Sequence, residues 1–196
     1  MSSALTLAIT KIGDLLLDNK ISQDEEGKPI DKINLVIPPY QRPYKWTAKN
    51  AVQLFDDIIE AKNQNKETYR VGTLILHFDA KKSIYNIVDG QQRTITFSLL
   101  LLALNDGKNV IIPFLNQMLT ADVHNARNIP NNYRTLERRI HNISDVRERS
   151  ELNDYIKNIH KVLEYTLRHL LLFINFHYNI FKSKKIFPLF QGLCII

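Results

Sequence analysis

Residues 84–104, IYNIVDGQQRTITFSLLLLAL, constrain the fold more than any other part of this chain. The segment SIYNIV (83–88) is rich in β-branched and aromatic residues, which predicts a strand. From Gln91 onward, apolar residues recur at the spacing of a helix and include Ile95, Leu99 and Leu102. The chain must therefore pass from strand to helix at Asp89 and Gly90. This corner places the free backbone N–H groups of the first helical turn beyond the strand end.

The side chains at this corner suit an anion, because N–H groups near Gln91 to Arg93 point away from the helix. Gly90 allows a tight turn and close backbone approach, and Arg93 supplies a forked donor that matches phosphate. Gln91 and Gln92 can hold a water, a base edge or a sugar hydroxyl. Asp89 can cap the helix, hold Arg93 or help bind a metal carried by phosphates. The alternative is a capped helix with solvated polar residues in its first turn, and the local pattern leaves both open.

A second polar cluster, IPPYQRPYKW (37–46), follows a predicted strand, INLVI (33–37). Its three prolines forbid regular structure and stiffen the loop that carries Gln41 and Arg42. Three aromatic residues that can stack on a base or support an arginine lie beside that pair: Tyr40, Tyr44 and Trp46. Alternatively, the aromatic rings fill the edge of the core and Arg42 is a surface charge. Two Gln-Arg pairs after two separate strands predict a shared pocket.

Other segments up to about residue 105 predict a mixed core of strands and helices. The N-terminal segment has apolar residues at helical spacing behind a Ser2/Ser3 cap and predicts a helix to about Asp18; they are Leu5, Ile9, Ile12 and Leu16. Residues 21–31 predict a polar loop, and Thr47 is expected to cap a helix that reaches Asn63. VGTLILHF (71–78), DAKK and SIYNIV together predict a β-hairpin.

The region from 110 to about 185 is helical by pattern. Its clearest helix begins near Ser144 and has an apolar stripe made of Leu152, Ile156, Ile159, Leu163, Leu167 and Leu170. We therefore expect an α+β fold in which a small mixed β core with flanking helices, residues 1–105, precedes a mostly helical extension, residues 106–196.

Composition narrows the classes of partner. The 26 Lys and Arg residues against 20 Asp and Glu residues give a net charge of +6, which favours an anionic partner such as nucleotide or nucleic acid. A single cysteine excludes an internal disulfide and favours a reducing compartment. The apolar segment LEYTLRHLLLFINFHYNIF is interrupted by Arg168, His169 and His177, which argues against a membrane span. We expect a cytoplasmic protein without a membrane partner.

Several other chemistries lack their residue patterns. The six glycines form neither a dinucleotide-binding fingerprint nor a P-loop, and the six histidines lack metal-ligand spacing, so no metal site made by the protein alone is predicted. Asp56 and Asp57 are adjacent on a helix and point about 100° apart. A basic zone at residues 127–149 either contacts DNA phosphate or is a solvated helical surface; its candidate DNA-binding residues are Arg134, Arg138 and Arg139.

Four segments together resemble a known family. IPPYQRPYKW, LFDDII, VGTLIL and IVDGQQRTITFSLLLL, in this order, are similar to the N-terminal domain of the GmrSD family of modification-dependent restriction systems. The resemblance covers about residues 5–105. It implies a ParB-like domain, within the wider ParB-like and sulfiredoxin-like fold group.

The resemblance also implies an activity and its partners. The family domain binds and hydrolyses a nucleoside triphosphate with Mg²⁺ in bacterial phage defence and is coupled to a DNA-nicking HNH-type nuclease. Tyr40, Gln41 and Arg42 match the first motif of this domain. The DGQQR motif, credited with nucleotide binding and hydrolysis, is matched by Asp89, Gly90, Gln91, Gln92 and Arg93.

The matching residues suggest roles. Arg42 and Arg93 neutralise the phosphates, Gln91 or Gln92 orients the attacking water, and Asp89 fixes Arg93 or a metal-bound water.

The chain also departs from the family pattern. TITF follows the DGQQR motif where the family has a leucine and two threonines, and neither a later nucleotide-contacting segment nor nuclease motifs are found. The apolar ending KIFPLFQGLCII is typical of an interrupted chain. Because the later segment is missing, we expect triphosphate binding with little or no hydrolysis and no DNA cleavage by this chain alone. Two alternatives remain: a DNA-binding nuclease subunit of the same fold, and a non-catalytic truncated remnant or partner-binding module.

Overall fold

The structure, a computed structural model, describes residues 5–66, 69–106, 111–112, 114–115, 118 and 123–166. Within these ranges the elements are β1 (Leu5–Lys11), α1 (Ile12–Leu16), β2 (Leu35–Val36), α2 (Ala48–Asn63), β3 (Arg70–Asp79), β4 (Ile84–Asp89), α3 (Gln91–Leu104), α4 (Val123–His141), α5 (Val146–Lys157) and β5 (His160–Thr166). The predicted α+β class is confirmed.

The five strands form one mixed sheet in the order β1-β5-β3-β4-β2. β5 is antiparallel to β1 and parallel to β3, whereas β4 is antiparallel to β3 and parallel to β2. Because β2 and β4 are parallel neighbours, their carboxyl ends lie at the same edge of the sheet. The loop after β2 and the corner after β4 are therefore brought together by topology.

α3 is the central helix of the core and is buried on nearly all sides. A helix that is apolar all round can be stable only inside the molecule. Its three buried hydroxyl groups donate to the carbonyl oxygens four residues earlier: Thr94 to Gly90, Thr96 to Gln92 and Ser98 to Thr94, each at 2.9 Å. These bonds satisfy polar groups that would otherwise be costly to bury.

Several local predictions are confirmed. β3 and β4 form the expected antiparallel hairpin, and α3 begins at Gln91 and ends at Leu104, just before the predicted stop. α2 ends at Asn63, and at its start the backbone N–H of Thr47 donates to Oδ1 of Asn50 at 3.1 Å. The strand predicted at 33–37 is shorter, since only Leu35 and Val36 pair with β4.

The predicted N-terminal helix is wrong over residues 5–11, which form β1. Exposure alternates along this strand: Ala8 and Thr10 are buried, whereas Leu7 and Ile9 are 48% and 41% exposed. This two-residue period is that of a strand, and every residue of β1 pairs with β5. The helical spacing of its apolar residues is outweighed by pairing with a distant segment. The helix that follows has only five residues, Ile12–Leu16.

The long helix predicted after Ser144 is wrong over residues 158–166. α5 ends at Lys157, with Leu152 and Ile156 buried as expected, and the chain then forms β5. β5 lies between β1 and β3, so its backbone is hydrogen-bonded on both sides. These distant partners override the local helical pattern. Leu167 and Leu170, also assigned to the helix, lie outside the described residues.

In the part of the chain that the structure describes, no helix is both long and apolar enough to cross a membrane. The predicted division of the chain at residue 105 stays a prediction. However, β5 belongs to the same sheet as the strands before that position.

Candidate functional site

A cavity of about 180 Å³ lies at the edge of the sheet where β4 meets α3. Its lining residues come from the loop after β2, from β3 and from the corner after β4: Gln41, Arg42, Trp46, Thr73, Asp89, Gly90, Gln91, Gln92 and Arg93. The structure thus brings both Gln-Arg pairs to one cavity, as the sequence predicted.

Gly90 makes the corner possible. It is the N-cap residue of α3 and has a positive φ of 89°, which L-residues with a side chain rarely adopt. A Cβ at this position would lie 2.9 Å from the carbonyl oxygen of Thr73 and 3.0 Å from Cδ1 of Leu74. The corner therefore requires glycine both for its backbone angle and for its contact with β3. It leaves the first-turn N–H groups of α3 without partners within the helix.

Gln92 holds the loop after β2 in place. Its Oε1 accepts from the backbone N–H groups of Lys45, at 2.9 Å, and Trp46, at 3.2 Å, while its Nε2 donates to the carbonyl oxygen of Pro43 at 3.3 Å. Both ends of this buried amide are occupied by the loop. Gln92 therefore has a structural role, and its side chain has no free amide end with which to hold a water or ligand.

Gln91 differs from its neighbour because one end of its amide has no partner. Nε2 donates to the carbonyl oxygen of Arg42 at 2.9 Å, which fixes the orientation of the group. Oε1 is buried and has no hydrogen-bond partner among the described residues. A buried acceptor without a donor is unfavourable, so this oxygen is the available acceptor of the pair.

Gln41 also has a structural contact, since its Nε2 donates to the carbonyl oxygen of Val88 on β4 at 2.8 Å. This bond ties the loop to the strand that leads into the cavity. The neighbouring Arg42 is exposed at the cavity wall. Tyr40 is 58% exposed and is not among the residues that line the cavity, so the structure does not bring it to the predicted pocket.

Arg93 extends from the first turn of α3 over Gly72 of β3. A Cβ on Gly72 would lie only 2.6 Å from Nη1 of Arg93, and Gly72 has a positive φ of 75°. The glycine lies where the register between β3 and β5 shifts. An irregularity in the sheet thus makes room for the guanidinium beside the cavity.

Asp89 is the last residue of β4 and is exposed at the cavity. The N-cap of α3 is Gly90, and no side chain caps the helix. Among the described residues, Asp89 forms no ion pair with Arg93. The sequence suggested three roles for Asp89. Two of them, capping α3 and holding Arg93, are not supported by a contact among the described residues.

A row of asparagines on α4 also positions the loop. Oδ1 of Asn125 accepts from the backbone N–H of Tyr44 at 2.6 Å, and Asn128 donates to the carbonyl oxygen of Tyr44 at 2.9 Å. Asn132 donates to the Tyr44 hydroxyl, at 2.9 Å, and to the carbonyl oxygen of Trp46, at 2.8 Å. Sequence reasoning missed these residues, although the run NARNIPNN repeats asparagine at helical spacing.

Tyr44 connects this row to the first turn of α3. Its hydroxyl lies 2.8 Å from Oγ1 of Thr96, which in turn donates to the carbonyl oxygen of Gln92. The ring is fully buried, and burial raises the pKa of Tyr44, so the hydroxyl stays protonated. A continuous series of hydrogen bonds therefore runs from α4 through the loop to the corner.

Lys161 of β5 is a further residue that the sequence did not indicate. It is 1% exposed, and its Nζ donates to Oγ1 of Thr94, in the first turn of α3, at 3.0 Å. Burial, and then the positive charge of Arg93, lower the pKa of Lys161 to about 7, although the negative charge of Asp89 opposes the shift. The sequence pattern assigned Lys161 to a helix. Its contact with Thr94 forms only because this segment is a strand of the sheet.

The predicted DNA-binding arginines lie on α4 and are not among the residues that line the cavity. Arg139 forms an ion pair with Asp56 of α2. Arg134 and Arg138 are exposed and, among the described residues, have no ion-pair partner. The three arginines are thus not equivalent, since one of them joins two helices.

Among the described residues, no three histidine, cysteine, aspartate or glutamate side chains converge as a metal site would require.

A profile of one protein family, described as GmrSD restriction endonuclease, N-terminal domain, matches residues 15–193. No curated protein is similar enough to the chain to be matched.

Proposed function

This chain belongs to the family of GmrSD restriction endonuclease N-terminal domains, and on that premise we propose that the cavity at the end of β4 binds a nucleoside triphosphate and supports its hydrolysis. The observation that carries the proposal is the meeting of Arg42, Arg93 and the first turn of α3 around one cavity. Two permanent positive charges beside free backbone N–H groups suit a chain of phosphates.

The side chains at the cavity also fit a magnesium ion that arrives with the triphosphate. Asp89 is the only carboxylate among the residues lining the cavity. Mg²⁺ is commonly bound by one or two carboxylates together with substrate phosphates and keeps several waters. Asp89 would accept a hydrogen bond from such a water. When bound, the ion would neutralise part of the negative charge of the phosphates.

The two glutamines have different roles in this proposal. Gln92 keeps the loop closed against α3, because both ends of its amide are bonded to the loop backbone. Gln91 orients the attacking water, which donates to its unpaired Oε1. Arg42 and Arg93 meet the charge that develops on the phosphates as the bond to the leaving group breaks.

In a restriction system, hydrolysis would be coupled to DNA cleavage by an HNH-type nuclease domain or subunit. We therefore propose a role in phage defence and a cytoplasmic location, where foreign DNA is met. Nucleoside triphosphate, DNA and the nuclease are the proposed partners.

Equilibrium binding of Mg²⁺-ATP tests the site. Arg42→Ala and Arg93→Ala should each weaken affinity by more than tenfold, since a charge-assisted hydrogen bond contributes roughly 1.5–3 kcal/mol. Arg127→Ala is the matched control, because Arg127 is exposed on α4 and does not line the cavity. If both cavity variants remain folded and bind like the parent chain, the cavity is not the triphosphate site.

Phosphate release separates catalysis from binding. Gln91→Met keeps the size of the side chain but removes both the Oε1 acceptor and the Nε2 donor to Arg42. Since little hydrolysis is expected of this chain, the variant should lower an already small kcat, on the order of tenfold or more, and should weaken affinity by less than that. Binding by the parent chain without any phosphate release would identify a non-catalytic binding module instead.

DNA is a second candidate ligand because Arg134 and Arg138 lie about one turn apart and are both exposed. If they contact phosphates, duplex affinity should fall with salt at a log-log slope of about −0.9 per phosphate. Arg134→Glu with Arg138→Glu should then flatten the slope. A slope near zero in the parent chain would leave these residues as ordinary helical surface.

A further inference from the structure

Lys161 is a fully buried amine behind the wall of the cavity. It reaches the first turn of α3 from β5, and its Nζ lies 3.0 Å from Oγ1 of Thr94. Thr94 donates its own hydroxyl proton to the carbonyl oxygen of Gly90 at 2.9 Å. The hydroxyl therefore accepts from Lys161, a contact that a neutral amine and an ammonium can both make.

The surroundings of Lys161 contain few charges. Arg93 on α3 and Asp89 at the end of β4 are the charged groups that act on it. Its partner on β1 is the buried, uncharged Thr10, and β3 contributes Gly72 and Thr73 near the shift in register. The positive end of the α3 dipole also disfavours a second positive charge at this place.

We propose that Lys161 couples anion binding in the cavity to proton uptake: when a triphosphate occupies the cavity, Nζ takes one proton from solvent and becomes an ammonium behind the phosphates. The inference rests on the proposed function, because it assigns a further group to the same site. The bound anion offsets the repulsion from Arg93 and from the helix dipole, so protonation becomes favourable. Lys161 acts on the ligand through α3 and is a positioning residue, since it does not line the cavity.

The free protein satisfies the first condition for such coupling. Burial and Arg93 lower the pKa of Lys161 to about 7, so at pH 8 most of the amine is neutral before the ligand binds. A surface lysine is already protonated at this pH and cannot take up a proton. Binding should also weaken as the pH rises above 8, because uptake then becomes costly.

Calorimetry of ATP binding with Mg²⁺, at pH 8 and in buffers of different ionisation enthalpy, measures the protons taken up. The second pKa of a phosphate group is about 6, so the ligand itself takes up or releases few protons at this pH. The parent chain should take up about half a proton or more per site. Lys161→Met should take up almost none and should lose most of the pH dependence of affinity between pH 7 and 9.

The matched control is Lys49→Met, which removes an exposed lysine at the start of α2 and should behave like the parent chain. Binding by the parent without a buffer-dependent enthalpy would overturn the coupling, whether or not Lys161→Met folds. Equal uptake by the parent and a folded Lys161→Met variant would overturn the assignment to Lys161. Absence of ATP binding by the parent would overturn the proposed function, and this inference with it.

Discussion

Gly72 and Gly27 have almost the same backbone angle, with φ of 75° and 76°, but different surroundings. A Cβ at Gly27 would meet nothing within 4 Å, whereas one at Gly72 would collide with Nη1 of Arg93. The pair therefore separates the cost of a strained backbone from the cost of displacing the arginine.

Gly72→Ala and Gly27→Ala should both lower the free energy of unfolding by about 1–2 kcal/mol, because alanine is strained at positive φ. Gly72→Ala alone should also weaken ATP binding, on the order of tenfold, since Arg93 must move from the cavity edge. Urea denaturation and equilibrium binding measure the two effects. Equal affinities for the two variants would show that the position of Arg93 over Gly72 is unimportant for binding.

The ionisation of Lys161 predicts a pH dependence of stability. Its pKa is about 7 in the folded chain and about 10.4 when unfolded. Between these values the unfolded chain binds more protons, so stability rises with pH. Relative to Lys161→Met, the free energy of unfolding should rise from pH 7 to 9 by up to about 1.4 kcal/mol per pH unit. Urea denaturation at each pH tests this, and a constant difference would mean that Lys161 is not titrating there.

Residues of the cavity could be predicted from the sequence because each motif is local. Gly90 and Arg93 follow a recognisable strand, and Gln41 and Arg42 lie on a proline-stiffened loop. The different roles of Gln91 and Gln92 could not be predicted. They depend on how many atoms of each side-chain amide bond to the backbone of the loop, which only the folded chain determines. The role of Lys161 could not be predicted either, because its contact with Thr94 joins residues 67 positions apart.

At the scale of elements, α4 supports the loop as much as α3 does. The asparagines of α4 bind the backbone of Tyr44 and Trp46, and Gln92 of α3 binds the backbone of the same loop. The loop has no regular hydrogen bonding of its own, so these side chains satisfy its backbone groups. Arg42 is thereby held at the cavity by contacts that do not involve its own side chain.

Asn132→Ala should loosen the loop, because it removes both the donor to the Tyr44 hydroxyl and the donor to the carbonyl oxygen of Trp46. Loss of buried hydrogen bonds of this kind costs about 1–3 kcal/mol of stability. ATP affinity should fall as well. Asn131→Ala is the control, since Asn131 is the exposed neighbour on the same helix. Comparable stabilities in thermal denaturation would contradict a supporting role for Asn132.

Elements with distant partners were the ones that sequence periodicity could not assign. The β3–β4 hairpin and the helices α2 and α3 have local signals, and they were predicted at or near their observed bounds. β1 and β5 pair with each other across 149 to 161 positions, and both have apolar residues at helical spacing. Periodicity does not report the partner that decides between strand and helix.

For the whole molecule, the order of the sheet predicts that the chain from β1 to β5 unfolds as one cooperative unit. β5 separates β1 from β3, so neither of these strands is paired to the other. β5 also carries the amine that contacts α3, and α4 holds the loop. Both lie after residue 105, the predicted boundary of the core. The cavity residues thus depend on packing contributed by the later part of the chain.

A fragment of residues 1–105 should therefore fail to fold cooperatively. Without β5, β1 loses the strand with which it pairs and keeps the bridge between Ile9 and Gln23, and β3 keeps only β4 as a neighbouring strand. Without α4, the backbone N–H and carbonyl groups of Tyr44 and the carbonyl oxygen of Trp46 lose their side-chain partners. Urea denaturation of the fragment should show no sharp transition, whereas the full chain should unfold in one step. A fragment that unfolds cooperatively and binds ATP as tightly as the full chain would establish residues 1–105 as an independent domain.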